Sequence, residues 1–253
     1  TYGAKWLAEE GHLRADAVLI GEPCGITKAW EAIDLVSRGA ALFKIRVTGT
    51  QTHSSISDRL PTVNATVHAA RLIDRMHREL KGALSYDPHP LCELGPTVNV
   101  GVMASAGVYY GVYPGEAEFG CDIRTIPGMT RKQLIADIQA FLERAMSDEP
   151  ELHAELHFED IYYEPTEISP DAPIAQAVKS AAATVLGASP PFEAFPGATD
   201  AAHIQGIVGI PTVAAFGPGY LPRAHSPNES VPVEDIGLAA KMFALAAWRF
   251  VSG

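Results

Sequence analysis

Five short segments contain the residue types that could do chemistry. Glu22 sits in a Gly21-Glu22-Pro23 turn, directly after an apolar run at residues 17–20. Ligands in α/β sheets bind beyond the carboxyl ends of strands, and a carboxylate there is a hard metal donor. The plain alternative is a solvated loop glutamate. His225 lies in a Gly/Pro-rich stretch, Gly217-Pro218-Gly219-Tyr220-Leu221-Pro222-Arg223-Ala224-His225-Ser226-Pro227-Asn228-Glu229. Loops of this kind on rigid scaffolds present functional groups, and neutral imidazole is a common zinc ligand. A loop histidine bonded to backbone is the competing interpretation. His53 is embedded in small polar residues, Thr48-Gly49-Thr50-Gln51-Thr52-His53-Ser54-Ser55. That composition suits either a hydrogen-bonding site or turn chemistry with hydroxyl caps. Gly197-Ala198-Thr199-Asp200 is a second small-residue turn, and Asp200 is a candidate helix N-cap. Arg124 ends a strand-like run and could clamp a carboxylate through a two-pronged fork, or simply pair with Asp122. No G-x-S-x-G, P-loop or H-E-x-x-H motif occurs.

The elements that must hold these residues fall into an inserted block and its flanks. Within the block, residues 41–48 alternate as a strand through Ala41, Phe43, Ile45 and Val47. Residues 61–80 carry an apolar stripe at helical spacing: Val63, Val67, Ala70, Ile73, Met76 and Leu80. Strands are expected at 97–103, through Val98, Val100 and Val102, and at 116–123, through Ala117, Phe119, Cys121 and Ile123. A helix at 130–146 starts on a Thr130/Gln133 capping box and buries Leu134, Ile138, Phe141 and Ala145. A last strand covers 153–158. The order β-α-β-β-α-β is that of a split βαβ, ferredoxin-like sandwich, with one sheet face and an edge open to a partner chain.

The flanks look like α/β: strands at 17–20 and 210–216, a helix at 173–186 opened by a proline and closed by Gly187, and a final helix at 233–251 with Ile236, Ala240, Phe243, Ala247 and Phe250 on one face. Two strands and two helices are too few for an α/β domain. The two distant strands would have to share a sheet whose other members the pattern does not reveal.

Composition removes several classes of function. Net charge is −11 with no basic block, which argues against nucleic acid and anionic membranes. No apolar run is long enough to span a bilayer. Cys24, Cys92 and Cys121 form neither a C-x-x-C pair nor an even set, so a reducing, cytoplasmic setting is expected.

Taken in order, five pieces resemble the dinuclear zinc amidohydrolase and exopeptidase family that includes acetylornithine deacetylase, succinyl-diaminopimelate desuccinylase, carboxypeptidase G and the aminoacylases. They are Ala15 through Pro23; Gly49 through Ser55 with Asn64-Ala65; Asp122-Ile123-Arg124; Gly197 through Ala201; and Ala224 through Glu229. The resemblance spans essentially the whole chain and is to the C-terminal two-thirds of that family. It implies a zinc-peptidase-like catalytic α/β domain, incomplete here, at 1–37 and 164–253. It also implies an inserted lid and dimerisation domain at 38–163.

By that resemblance Glu22 and His225 are ligands of two different zinc ions, with cobalt an acceptable substitute. His53 is the lid histidine that reaches a partner subunit's active site, and Arg124 holds the substrate carboxylate. Gly197 and Thr199 contact the substrate, a small N-acyl amino acid or dipeptide-like amide, and the protein is a homodimer. The resemblance places an H-x-D pair, a bridging Asp and a Glu-Glu pair ahead of Thr1, so this chain alone is expected to be inactive. The alternative is a non-catalytic dimerisation and substrate-docking fragment. Gly111, in Tyr109-Tyr110-Gly111-Val112-Tyr113-Pro114, stands where the family often has Asn.

Overall fold

The computed structural model describes residues 2–252. The first stretch of chain forms α1 (Tyr2–Glu9), β1 (Val18–Leu19), β2 (Pro23–Gly25), β3 (Ile33–Ser37) and β4 (Ala40–Thr48). Next come β5 (Thr52–His53), α2 (Ala65–Ala83), β6 (Thr97–Ala106), β7 (Val112–Tyr113), β8 (Glu116–Arg124), α3 (Arg131–Asp148) and β9 (His153–Tyr163). The chain finishes with β10 (Thr166–Glu167), α4 (Pro173–Leu186), β11 (Phe192–Phe195), α5 (Ala201–Val208), β12 (Thr212–Val213), β13 (Gly217–Tyr220) and α6 (Val233–Ser252). These elements gather into two compact units. One comprises residues 1–39, 89–93 and 163–253, the other residues 40–88 and 94–162.

The second unit is one four-stranded sheet in the order β6-β8-β4-β9 with α2 and α3. β4 and β6 both run antiparallel to the central β8. Ala41, Phe43, Ile45 and Val47 of β4 are buried, as are Ala117, Phe119, Cys121 and Ile123 of β8. Leu134, Ile138, Phe141 and Ala145 of α3 are all buried as their spacing predicts. Thr130 caps α3 by accepting the Gln133 N–H at 3.2 Å, whereas the Gln133 amide turns to Asp137 and leaves the box half made.

Two expectations need correcting in this unit. α2 begins after Asn64, whose side chain accepts the Val67 N–H at 3.1 Å, and not at Pro61. Its buried stripe is Ala65, His68, Ala69, Leu72, Met76 and Leu80, so Val67 is exposed. The later start moves the face by about one residue, and a histidine takes an inward position. In β6 the register shifts between Val100 and Met103, which turns Val102 out to solvent.

In the first unit β1 and β12 pair in parallel, with Val18 beside Thr212. Beside them are a β10-β3-β11 sheet and a parallel β2-β13 pair. The strands hidden from pattern analysis are β3, β10 and β11, together with β2 and β13, whose residues read as a turn and a loop. β3 is buried at all five positions, Ile33-Asp34-Leu35-Val36-Ser37, so it shows no alternation. The core joins Ile33, Leu35, Val213 and Phe216 to Ile174, Val178 and Ala182 of α4 and to Ala239, Met242 and Ala246 of α6. α4 runs over the residues its proline and glycine predict, with Gly187 left-handed at its end. The face of α6 is again turned by about one residue. Asp235, Ala239, Met242 and Ala246 are buried and Ile236 is half exposed, because Asp235 faces inward to accept from the Trp30 indole N–H at 3.2 Å.

Candidate functional site

In the first unit the β2-β13 pairing puts Glu22 and the start of the His225 loop side by side. Gly217 opens β13 opposite Pro23. A Cβ on Gly217 would lie 2.1 Å from the Gly21 carbonyl oxygen and 2.6 Å from that of Glu22. Only glycine allows this approach, so the residue that positions Glu22 is Gly217, 195 positions along the chain. The Cys24 thiol donates to the Gly217 carbonyl at 3.3 Å and fastens the same junction. Burial raises that thiol to about 11, so it stays neutral.

Glu22 itself is exposed at the turn. Its carboxyl is nevertheless raised above the ordinary range, first by partial desolvation and then by the negative charge of Asp200, while His225 pulls it down. Glu22, Asp200 and His225 therefore share one electrostatic neighbourhood. His225 holds a left-handed backbone, φ 58°, a sparsely populated state for a non-glycine residue. The Glu229 carboxylate accepts the His225 N–H at 3.0 Å and secures that conformation. Such local strain is typical of side chains aimed for a task.

The Gly197 turn follows β11. Thr199 is buried, and its hydroxyl is already engaged. It lies 3.2 Å from the Ser37 hydroxyl and accepts the Ala201 N–H at 3.2 Å, while Asp200 stands at the N-cap of α5 without a side-chain cap bond. The Thr199 N–H also donates to Ser37 Oγ at 2.9 Å. Ser37 had no signal in the sequence beyond its place in an apolar run. It anchors the turn that holds Gly197 and Asp200.

In the second unit His53 pairs with Val112 across the β5-β7 ribbon. The Ser55 N–H donates to His53 Nδ1 at 3.2 Å, and the Ser55 hydroxyl lies 2.8 Å from the same nitrogen. An acceptor at Nδ1 puts the proton of the neutral ring on Nε2. The exposed imidazole thus presents an N–H donor outward. The Ser54 N–H donates to the Gly111 carbonyl at 2.9 Å, tying this turn to the Tyr109-Tyr110 tip. Those rings are 78% and 92% exposed and lie edge to face, 5.8 Å apart. Gly111 has φ +80° and open space where a Cβ would stand.

Arg124 is at the far end of β8. β4 lies antiparallel to β8 with Thr48 beside Glu116 and Ala41 beside Ile123. The His53 turn leaves from the Thr48 end. Eight strand steps separate Glu116 from Arg124, or about 26 Å at ~3.3 Å each. Arg124 pairs with Asp122 at 2.9 Å.

The donor types of Glu22 and His225 suit zinc. Among the described residues, however, no three His, Cys, Asp or Glu side chains converge closely enough to hold a metal ion. Residues 1–249 match the model of Peptidase family M20/M25/M40. The chain belongs to this family. It is 27% identical over 252 residues to acetylornithine deacetylase of Myxococcus xanthus, covering 99% of this chain and 62% of the relative. It is 26% identical over 242 residues to succinyl-diaminopimelate desuccinylase of Methylocella silvestris, covering 95% and 58%.

Solved structures of peptidases share the fold. A tripeptidase from Staphylococcus aureus superposes with a TM-score of 0.74 at 19% identity, over 99% of this chain and 61% of that one. An M20 metallo-carboxypeptidase from Sulfolobus solfataricus gives 0.71 at 20%, over 98% and 66%. The chain thus spans about three fifths of the length of the curated relatives it matches. No helix among the described residues is long and apolar enough to cross a membrane.

Proposed function

We propose that this chain serves metal-dependent hydrolysis of the amide bond of an N-acyl amino acid or dipeptide-like substrate. The observation that carries this reading is the β2-β13 pairing, which sets the Glu22 turn beside the strand leading to His225, with the charges of Asp200 and His225 both acting on the Glu22 carboxyl. In this reading Glu22 binds one zinc ion and His225 a second. Each ion needs further ligands beside these, since a catalytic zinc takes three protein ligands. When bound, the metals supply Lewis-acid activation of the acyl oxygen and of the attacking water.

Every other role falls to side chains. His53 donates its Nε2–H to the oxygen that becomes negative in the transition state, a contribution of about 3 kcal/mol where one such donor is removed elsewhere. Arg124 binds the substrate carboxylate in a fork. The Gly197 turn, anchored through Thr199 to Ser37, lines the substrate's path. A small substrate cannot bridge about 26 Å of β8. If one substrate meets both His53 and Arg124, they come from different protomers. In this reading a homodimer joined through residues 38–163 supplies the second protomer, with the unpaired edge of β6 as the surface offered for it.

The test is release of amine from N-acetyl and N-succinyl amino acids by the whole protein with added zinc or cobalt. No metal-dependent release from any of them would sink the hydrolase reading. Among the described residues no three donors converge, and the second reading is a non-catalytic docking and dimerisation chain. Zinc held tightly at stoichiometric amounts by the 253-residue chain would count against it.

A further inference from the structure

β3 buries a carboxyl that the proposed mechanism does not use. Asp34 is only 4% exposed, and no side chain or amide of the described residues hydrogen-bonds to its carboxyl. It faces a cavity of about 50 Å³ bounded by Cys24, Glu193, Phe195, Pro196 and Leu221. Glu193 is the register partner of Asp34 on β11, so the two carboxyl groups rise from the same face of the sheet. A third acid, Glu31, is also at the wall, but its charge is satisfied. The N–H groups of Thr27 and Ile26 and the Thr27 hydroxyl all donate to it, which holds it down to about 2.

No lining residue carries a positive charge. The rest of the wall is apolar. A buried, unpaired carboxyl facing a vacant volume lacks the partner that buried polar groups almost always have. Among the described residues no three donors converge here to form a metal-binding group. The rim is formed by the residues next to the candidate centre. Pro23 follows Glu22, Pro196 precedes Gly197, and Leu221 opens the turn that leads to His225.

We propose that this cavity binds a primary alkylammonium group, with Asp34 at its floor and Glu193 at its mouth. Three N–H donors on a narrow apolar stem match two carboxylates set in apolar walls. The volume admits a –CH2–NH3+ end and little more. Burial, and then the charge of Glu193, raises the Asp34 carboxyl to about 8. Without a cation it therefore keeps its proton at neutral pH, and an arriving ammonium displaces that proton. The other titratable groups facing it are Glu193 of β11, Cys24 of β2 and Glu31 of the turn before β3. Whether the ammonium is the substrate's own rests on the amidohydrolase reading; the binding itself does not.

The experiment is a titration of the 253-residue chain with ethylammonium chloride, followed by NMR shifts of the Ala32 and Ala194 amides. Saturable shifts are expected, tighter at pH 7.5 than at pH 6 and unchanged by equimolar potassium. Asp34→Asn, nearly isosteric, should weaken binding at least about tenfold, and Glu193→Gln at the exposed mouth several-fold. No saturation, equal binding by Asp34→Asn, or displacement by potassium at equal concentration would each overturn the proposal. A second arm separates the sources. Competition by an N-acyl diamino acid, but not by an N-acyl amino acid of equal length lacking the second amine, makes the ammonium the substrate's. Competition by neither leaves a site for a free amine. Failure of hydrolysis alongside intact ethylammonium binding would remove the functional reading and leave the site standing.

Discussion

The two units treat charge in opposite ways. In the unit of residues 40–88 and 94–162, ion pairs decorate the outside: Arg46 with Glu116, Arg71 with Glu149, and Arg75 with Asp148. Its interior is mostly apolar, with His68 and Thr125 the buried polar residues described there. In the other unit, polar groups go inside. Asp34, Ser37, Thr199 and Asp235 are all buried, and three of them have hydrogen-bonded partners. The first arrangement makes a regular scaffold. The second sets an irregular set of turns at fixed positions, which is what a site needs and what costs stability.

The contrast can be broken by substitution, and the largest effect is expected at Gly217. Gly217→Ala puts a methyl group against fixed backbone of Gly21 and Glu22. A loss of about 3 kcal/mol or more is expected in denaturant unfolding, because nothing flexible can give way. A loss under about 1 kcal/mol would show that the β2-β13 junction is loose.

Asp34 supplies the next test, through pH. Its native carboxyl titrates at about 8, above the unfolded value, so the native state binds the extra proton. Stability should then fall as pH rises from about 4 toward 8. Asp34→Asn should remove that fall and exceed the parent by at least about 1 kcal/mol at pH 8.5. Parallel stability curves for the two proteins would contradict it.

Thr199→Val should cost about 1–2 kcal/mol by removing the acceptor of the Ala201 N–H and the Ser37 contact. Thermal unfolding reads it, and no loss would mean the turn does not depend on that hydroxyl. The smallest effect belongs to the regular unit. Gly111→Asn should change stability by no more than about 0.5 kcal/mol, since Asn tolerates the left-handed backbone and the space is open. A larger loss would mean that the Tyr109-Tyr110 tip is less free than its exposure implies.

The same contrast explains what the sequence could reveal. β4, β8 and α3 alternate or repeat as their burial demands, so period alone located them. α2 and α6 were found, but their faces were turned by about one residue, because His68 and Asp235 occupy inward positions that hydrophobic spacing assigns to apolar neighbours. β3 was invisible, since a strand buried on both sides with an acid in it has no period. Its clue was the acid itself, a lone charge inside Ile33-Asp34-Leu35-Val36. Glu22 and His225 were legible as motif residues. Their proximity was not, because it depends on a glycine contact between turns almost two hundred positions apart.

The central claim is that one active site draws His53 and Arg124 from different protomers. Mixing His53→Ala and Arg124→Ala forms of the whole protein tests it directly, with hydrolysis of an N-acyl amino acid as the readout. Each variant alone should be nearly inactive. Random exchange into mixed dimers should restore about a quarter of the parent activity, since half the dimers are mixed and each rebuilds one of its two sites. A mixture no more active than its two components would contradict the account.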